Sequence, residues 1–249
     1  RRFWNVPAEA AVLPAPAAPA LIALLPGLAD PRWVKIETPT YNEHAAAFAN
    51  HRWAITGSGP AEACVAVHPN NPDGRLWQAE EITAPLCIID ESFCDICPDQ
   101  SLIHLAAKPG VIVLKSFGKF WGLAGMRLGF AIGDPELLQQ LAQLQGPWAV
   151  SGPALKTGLQ ALQDQDWADQ TRQSLARDAQ RLDRLATTRG ATVVGGTDLF
   201  RLYQVEDAAQ WQERLAKAHI WSRIFPYSKT YIRLGLPPQQ GWDRLEAAL

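Results

Sequence analysis

Five polar or charged residues that could take part in amine and phosphate chemistry lie beside short apolar segments between residues 63 and 133. Asn71 lies in the turn HPNNPDG that follows ACVAV, and Asp90 ends the segment LCIID. Ser116 and Lys119 end the stretch VIVLKSFGK, and Arg127 precedes GFAIG. A lysine that follows a buried strand among apolar and aromatic neighbours is a candidate for a lowered pKa, as an amine that forms a Schiff base requires.

The other groups suit a phosphorylated ring that contains nitrogen. Asp90 could pair with a protonated ring nitrogen, and the Ser116 hydroxyl and the Arg127 guanidinium could hold a phosphate. Together with Lys119, these groups describe a pyridoxal phosphate site. These residues also have structural alternatives. Lys119 could be a surface lysine after a strand, and Asp90 could merely cap the next helix. Asn71 could simply form a turn, and Arg127 could form a structural ion pair.

The apolar segments predict the strands that must position these residues. Residues 63–67, 86–90, 111–116 and 129–133 are nearly continuous apolar runs of strand length. Such runs are typical of strands that are buried on both faces of a mainly parallel sheet. In open α/β sheets, ligands bind beyond the carboxyl ends of the strands, where the polar residues lie.

The pattern changes after residue 146 and predicts a second domain. A long polar stretch with apolar residues at helical spacing runs to Gly190. It is followed by predicted strands around TVVGG, LFRLYQV, IWSRIF and TYIRLGL, and by helices near 207–218 and 239–249. We expect a large α/β domain over residues 1–146, and an interdomain helix with a smaller α+β domain over residues 147–249.

Composition restricts the possible partners and the compartment. The chain has 249 residues, 47% of them hydrophobic, and a net charge of -2, so it has no field that would gather nucleic acid or anionic lipid. The expected partner is a small molecule. Four cysteines are too few for a disulfide scaffold and suit a reducing cytoplasm. Cys94 and Cys97 have zinc-ligand spacing, but no second pair follows, so we expect no metal.

An uncharged stretch over residues 10–29 raises the question of a membrane span. It contains four prolines, and these would leave backbone groups unpaired in lipid. We therefore expect no membrane span, and a short core helix from about Pro19 to Leu25.

Three motifs in succession carry a resemblance to a known family. The stretches HPNNPDG, IIDESF and KSFGKFWGLAGMRLGFAIG resemble fold-type-I, class I/II aminotransferases, especially the branch with histidinol-phosphate aminotransferase and the threonine-phosphate decarboxylase of cobalamin synthesis. The resemblance runs from PTY at 39–41 to the final YIRLGL. It implies the fold-type-I PLP-transferase fold, with a mainly parallel large domain flanked by helices, and a homodimer that binds pyridoxal 5'-phosphate.

The resemblance also implies a role for each matching residue of the cofactor site. Lys119 would form the Schiff base, and Asp90 would hold the pyridine nitrogen protonated. Asn71 would donate a hydrogen bond to the ring 3-oxygen and contact the substrate, while Tyr41 would stack on the ring.

The phosphate and the substrate have their own implied residues. Ser116 and Arg127 would bind the cofactor phosphate. Arg233 in TYIRLGL matches the arginine that binds the substrate carboxylate in aminotransferases, and Arg223 is a candidate for a second anion.

Two details favour the decarboxylase within this branch. Phe93 stands where many aminotransferases have Tyr, and it is followed by Asp95 and Pro98, as in the cobalamin enzymes; PWAVSGPA at 147–154 is also similar to those enzymes. We expect decarboxylation of threonine phosphate to aminopropanol phosphate for the corrin side chain. An aminotransferase of the histidinol-phosphate type is the alternative, and a catalytically silent relative that acts as a binding partner is the second.

The chain departs from the family at the loop expected to bind the cofactor phosphate. Over Pro16–Pro19 an alanine replaces the expected glycine, no hydroxyl is present, and Pro19 removes a backbone donor. We also expect the amino-terminal segment of the family to be missing from this chain.

Overall fold

The computed structural model describes residues 1–249, and the chain forms two compact units. The first comprises residues 1–71 and 76–165, and the second residues 72–75 and 166–249. This division differs from the boundary expected after residue 146. The helix over 152–163 belongs to the first unit, where a Cβ on Gly158 would lie 3.5 Å from the Phe117 ring. Residues 72–75 belong to the second, where Gly196 N donates to Asp73 O over 2.6 Å.

The first unit is built on a seven-stranded sheet. Its strands are β1 (Ala11–Ala15), β2 (Trp33–Ile36), β3 (Ala54–Thr56), β4 (Ala63–Val67), β5 (Leu86–Asp90), β6 (Val111–Ser116) and β7 (Gly129–Gly133). They lie in the order β1-β7-β6-β5-β4-β2-β3. Strands β2 to β6 are parallel, whereas β7 is antiparallel to β6 and β1 is antiparallel to β7. This confirms the mainly parallel α/β fold, including the bounds of the four apolar strands.

Helices cover the sheet and supply much of its core. They are α1 (Ala18–Leu24), α2 (Asn42–Asn50), α3 (Pro135–Gln145) and α4 (Gly152–Gln163). Leu21 of α1, Phe48 of α2 and Leu141 of α3 pack in one cluster with Ile88 and Ile112 of the sheet. The α1 helix is the short core helix expected from the sequence. No helix of the protein has both the length and the apolar character that crossing a membrane would take.

The second unit has a four-stranded antiparallel sheet covered by helices. Its elements are α5 (Gln165–Thr187), β8 (Thr192–Thr197), β9 (Phe200–Gln204), α6 (Ala208–Lys217), β10 (Arg223–Phe225), β11 (Ser228–Gly235) and α7 (Trp242–Ala248). The strand order is β10-β11-β9-β8. Leu182, Trp211 and Trp242 from the three helices pack with Tyr203 and Ile232 of the sheet. This is the smaller α+β architecture that the sequence predicts, and the polar stretch before it forms two helices, α4 and α5.

Short 3-10 turns complete both units. They lie at Leu25–Leu28, Ala79–Glu81, Cys94–Ile96, Pro98–Gln100, Ile103–Ala107, Ala124–Met126 and Gln239–Gly241. The turn at Cys94–Ile96 follows β5 directly and therefore lies next to the polar residues at the end of that strand.

Candidate cofactor site

Five of the predicted residues line one cavity in the first unit. They are Tyr41, Asn71, Asp90, Ser116 and Lys119, joined by Ala18, Pro19, Ile22, Val67, Ser92 and Phe93. The cavity lies where β4, β5 and β6 end, because the carboxyl ends of parallel strands meet at one edge of the sheet. The topology therefore brings together residues that lie up to 78 positions apart (119 − 41) in the sequence.

Asp90 is the buried carboxylate of the cavity, and only 3% of it is exposed. Its Oδ2 lies 2.9 Å from His44 Nε2, and its Oδ1 accepts hydrogen bonds from the Ser92 backbone N–H and hydroxyl. Burial alone would raise the pKa of the Asp90 carboxyl, but the bonds from His44 and Ser92 outweigh it and hold this pKa below its usual range. Asp90 is therefore an anion that can pair with a protonated ring nitrogen.

His44 belongs to this site and was not expected there, because the sequence analysis assigned no histidine a role. It lies in the first turn of α2, is 1% exposed, and its Nδ1 has no hydrogen-bond partner. Its ring meets the Tyr41 ring edge-on, with centroids 6.2 Å apart. The spacing from Tyr41 to His44, one helical turn, was the signal in the sequence that could have indicated it.

Two lysines precede and follow Ser116, and the structure distinguishes them. Lys119 lines the cavity, with Nζ 5.2 Å from the centroid of the Phe93 ring. Lys115 is 1% exposed and binds Glu91 instead, with Nζ 2.5 Å from Oε2. Burial opposes the charge of Lys115, but the neighbouring carboxylates raise the pKa of this ammonium group above its usual range. Lys119 is therefore the amine of the cavity.

The start of α1 closes the cavity beside Ser116. Ala17 caps this helix with φ 74° and ψ 163°, a conformation that favours glycine, and no side chain caps the helix. A Cβ on Gly129 would lie 2.9 Å from Ala18 N, so a glycine in β7 is what lets the loop approach the sheet. The altered loop thus keeps its place at the cavity, but Pro19 offers no N–H there.

Arg127 is not brought into this group. It is exposed, it adopts the left-handed conformation with φ 50°, and its Nη1 donates to Ala124 O over 3.0 Å. It is absent from the residues that line the cavity. Its binding of a phosphate stays a prediction.

Arg223 and Arg233 lie in the second unit as direct cross-strand neighbours on β10 and β11. Arg233 is half-buried, and its guanidinium lies 5.0 Å from the centroid of the Phe200 ring. Burial and the positive charge of Arg223 lower the pKa of Arg233 to about 10. Arg233 therefore stays cationic at neutral pH. Two arginines that face each other across neighbouring strands repel each other, so an anion between them would be favoured.

A second buried polar cluster lies behind the cavity, formed by His68, Glu91 and Cys94. Both ring nitrogens of His68 are hydrogen-bonded to backbone groups. Glu91 accepts from Ser101 Oγ and from a backbone N–H, and it binds Lys115. His68 and Glu91 thus belong to a buried hydrogen-bonded network.

The donor set of the cavity fits pyridoxal phosphate. An amine, an ionised carboxylate, an amide, a hydroxyl and an aromatic ring converge there, from Lys119, Asp90, Asn71, Ser116 and Tyr41. These groups match the aldehyde, ring nitrogen, 3-oxygen, phosphate and ring face of the cofactor in turn.

Comparison with known proteins agrees with this geometry. Residues 32–247 match the family described as aminotransferase class I and II. The chain belongs to this family. Like its relatives in the aminotransferase class I and II family, it is a pyridoxal-phosphate-dependent enzyme.

Individual relatives are similar over most of the chain. A threonine-phosphate decarboxylase from Sinorhizobium sp is 40% identical, covering 93% of this chain and 74% of the relative. A threonine-phosphate decarboxylase from Pseudomonas aeruginosa is 37% identical, covering 96% and 77%. The crystal structure of a histidinol-phosphate aminotransferase from Sinorhizobium meliloti in complex with pyridoxal-5'-phosphate superposes with a TM-score of 0.86 at 23% identity, covering 100% of this chain and 77% of that one. The last likeness shows the fold.

Proposed function

We propose that this enzyme decarboxylates L-threonine O-3-phosphate to aminopropanol phosphate, in the synthesis of the corrin side chain of cobalamin. The observation that carries the proposal is the likeness, at 40% and 37% identity over more than nine-tenths of the chain, to two threonine-phosphate decarboxylases. The cavity supports it with an amine and an ionised carboxylate in one site.

The residues of the cavity divide the work of the reaction. Pyridoxal phosphate, when bound, supplies an electron sink for whichever bond at the substrate α-carbon stands perpendicular to its ring. Asp90 holds a proton on the ring nitrogen, since its carboxyl stays ionised. Lys119 holds the cofactor and is the group that can return a proton to the α-carbon after carbon dioxide leaves. Tyr41 and Asn71 orient the ring and the substrate.

Two anionic groups on the substrate match the two arginines of the second unit. Arg233 would bind one anion through its guanidinium fork and Arg223 the other. The cross-strand pairing of two positive charges favours a substrate that carries both a carboxylate and a phosphate. Arg127 and Ser116 are the proposed partners of the cofactor phosphate.

We further propose a cytoplasmic homodimer. Four free cysteines suit a reducing compartment.

The proposed dimer rests on exposed apolar side chains. In the first unit, Trp148 is 96% exposed and Leu159 58% exposed, and large apolar side chains on a surface are typical of contact surfaces. Sedimentation at micromolar concentration should give twice the chain mass; a single-chain mass would contradict the dimer.

The function is tested with the purified protein and pyridoxal phosphate. Wild type, Lys119→Ala and the control Lys156→Ala, an exposed lysine of α4, are each mixed with the cofactor, and the visible absorption band of bound cofactor is recorded. Threonine phosphate is then added and carbon dioxide is measured. We expect the band and the gas from wild type and Lys156→Ala only.

The other outcomes separate the alternatives. Conversion of the bound cofactor to its amine form without gas, on addition of histidinol phosphate or threonine phosphate, would identify an aminotransferase. No band from wild type at saturating cofactor would mean that the altered loop has abolished binding, and that the chain is a catalytically silent relative.

A further inference from the structure

A buried carboxylate outside the cavity, that of Asp95, joins two tryptophans from distant parts of the first unit. Its Oδ1 accepts a hydrogen bond from Trp4 Nε1 over 2.9 Å, and its Oδ2 accepts one from Trp121 Nε1 over 2.6 Å. Asp95 is only 4% exposed. Each oxygen therefore holds one indole, in surroundings where water does not compete for the bond.

Trp121 lies in the loop that carries Lys119. Gly122 N donates to Lys119 O over 3.0 Å, and Leu123 N donates to Phe117 O over 2.9 Å. The Trp121 ring stacks on the Phe117 ring, with centroids 5.7 Å apart and planes at 21°. Backbone hydrogen bonds within the loop thus hold its shape, and the hydrogen bond from the Trp121 indole connects the loop to Asp95.

Asp95 follows shortly after Asp90, the last residue of β5. The two are joined by a tight turn in which Cys94 N donates to Glu91 O over 3.1 Å. Lys115 Nζ lies 2.5 Å from Glu91 and 3.6 Å from Asp95, so this buried cation holds the carboxylates of Glu91 and Asp95. The segment that holds the cofactor's ring nitrogen therefore also holds the Lys119 loop.

We infer that Asp95 is a positioning residue which, through Trp121, sets the place of Lys119 relative to Asp90. The inference rests on the proposed role of Lys119 as the amine that binds the cofactor. A cofactor bound covalently at one end and by a buried carboxylate at the other requires a fixed separation between the two groups. A charge-assisted hydrogen bond in a dry site is strong enough to fix it.

Trp4 provides a matched control within the same cluster. Its indole binds the other oxygen of Asp95, and its ring meets the Phe117 ring edge-on with centroids 6.1 Å apart. Trp4 lies before β1, and none of residues 1–10 lines the cavity. Trp4→Phe and Trp121→Phe each delete one indole N–H from the same carboxylate and keep an aromatic ring.

The experiment compares wild type, Trp121→Phe and Trp4→Phe. Three quantities are measured: the dissociation constant of pyridoxal phosphate, the pH midpoint of the bound cofactor's absorbance, and the hydrogen exchange of the Gly122 and Leu123 amides in the cofactor-free protein. We expect both variants to lower the thermal unfolding midpoint. Only Trp121→Phe should raise the dissociation constant, by about three- to tenfold for one buried hydrogen bond, shift the pH midpoint and speed the exchange.

Equal effects of the two variants on all three quantities would overturn the inference, because Asp95 would then act on stability alone. If wild type shows no cofactor band, the proposed function is lost, and the exchange of the two amides still decides whether Asp95 holds the loop. Asp95→Asn is the second variant should Trp121→Phe not fold, with a fast-exchanging loop expected and an unchanged loop contradicting the inference.

Discussion

At Asp90, burial and hydrogen bonding act on one carboxyl in opposite directions, and hydrogen bonding is the stronger. The sequence predicted this residue because it ends a continuous apolar strand. It did not predict His44. The spacing of one helical turn places His44 near Tyr41, but it does not show that this face of α2 meets the end of β5. The same reason hides Trp4, Asp95 and Trp121, which meet only when the chain has folded.

His44→Phe should move the acid limb of cofactor binding to higher pH. Burial of Asp90 remains while one donor is lost, so the pKa of its carboxyl rises. In the wild type this pKa lies below the unfolded value, so the ionised carboxyl stabilises the fold fully above about pH 4 to 5 and less as the pH falls. The variant should lose about 1–3 kcal/mol at pH 7.

The absorbance of bound cofactor from about pH 3 to 8 and urea unfolding at pH 7 measure these two effects for His44→Phe. His51→Phe, at the exposed carboxyl end of the same helix, is the control and should change neither. An unchanged pH profile in His44→Phe would show that His44 does not govern the ionisation of Asp90.

Among the elements, the four strands with continuous apolar sequences were predicted to the residue, whereas β1 was not. Its sequence is AVLPA, and a proline is compatible with a strand only where a backbone donor is not needed, as at the edge of a sheet. β1 occupies that edge. The α1 helix that follows was predicted, but not that its preceding alanine would adopt a glycine-like conformation.

Ala17→Gly should stabilise the protein. Alanine at φ 74° and ψ 163° costs of order 1–3 kcal/mol, part of which is offset by the greater freedom of glycine in the unfolded chain. We expect a net gain of about 1 kcal/mol, which corresponds to a rise of about 2–4 °C in the thermal midpoint. The control Ala20→Gly, inside α1, should lower the midpoint because glycine is a poor helix former. A thermal midpoint of Ala17→Gly below that of wild type would contradict the proposed backbone strain at Ala17.

At the scale of the whole molecule, the proposed cofactor residues and the proposed substrate arginines belong to different compact units. The sequence predicted two domains of the correct classes from the change in periodicity. It placed the division at residue 146 because the polar helical stretch is continuous in composition. The division instead falls after α4, because this helix packs within the first unit, where Gly158 lies close to Phe117 and Leu128.

Saturation with pyridoxal phosphate should stabilise the first unit. At a concentration 100 times the dissociation constant the gain is about 2.7 kcal/mol, or about 5–10 °C in the thermal midpoint. Calorimetry with and without cofactor measures it. Pyridoxine phosphate keeps the ring and the phosphate but has no aldehyde. In wild type it should raise the thermal midpoint less than pyridoxal phosphate does. In Lys119→Ala the two compounds should raise the midpoint equally. Equal shifts with both compounds in wild type would mean that no covalent bond contributes.

The pairing of β1 also bears on how the protein is made. β1 is synthesised before the other strands of its sheet, yet its neighbour in that sheet is β7, which is synthesised more than a hundred residues later (129 − 15 = 114). Until then β1 and the first residues of α1 lack the strand that they pack against. The cavity, whose wall includes the start of α1, is thus completed only late in translation. Contacts this distant in sequence slow folding, so we expect the first unit to fold late relative to the synthesis of its amino-terminal residues.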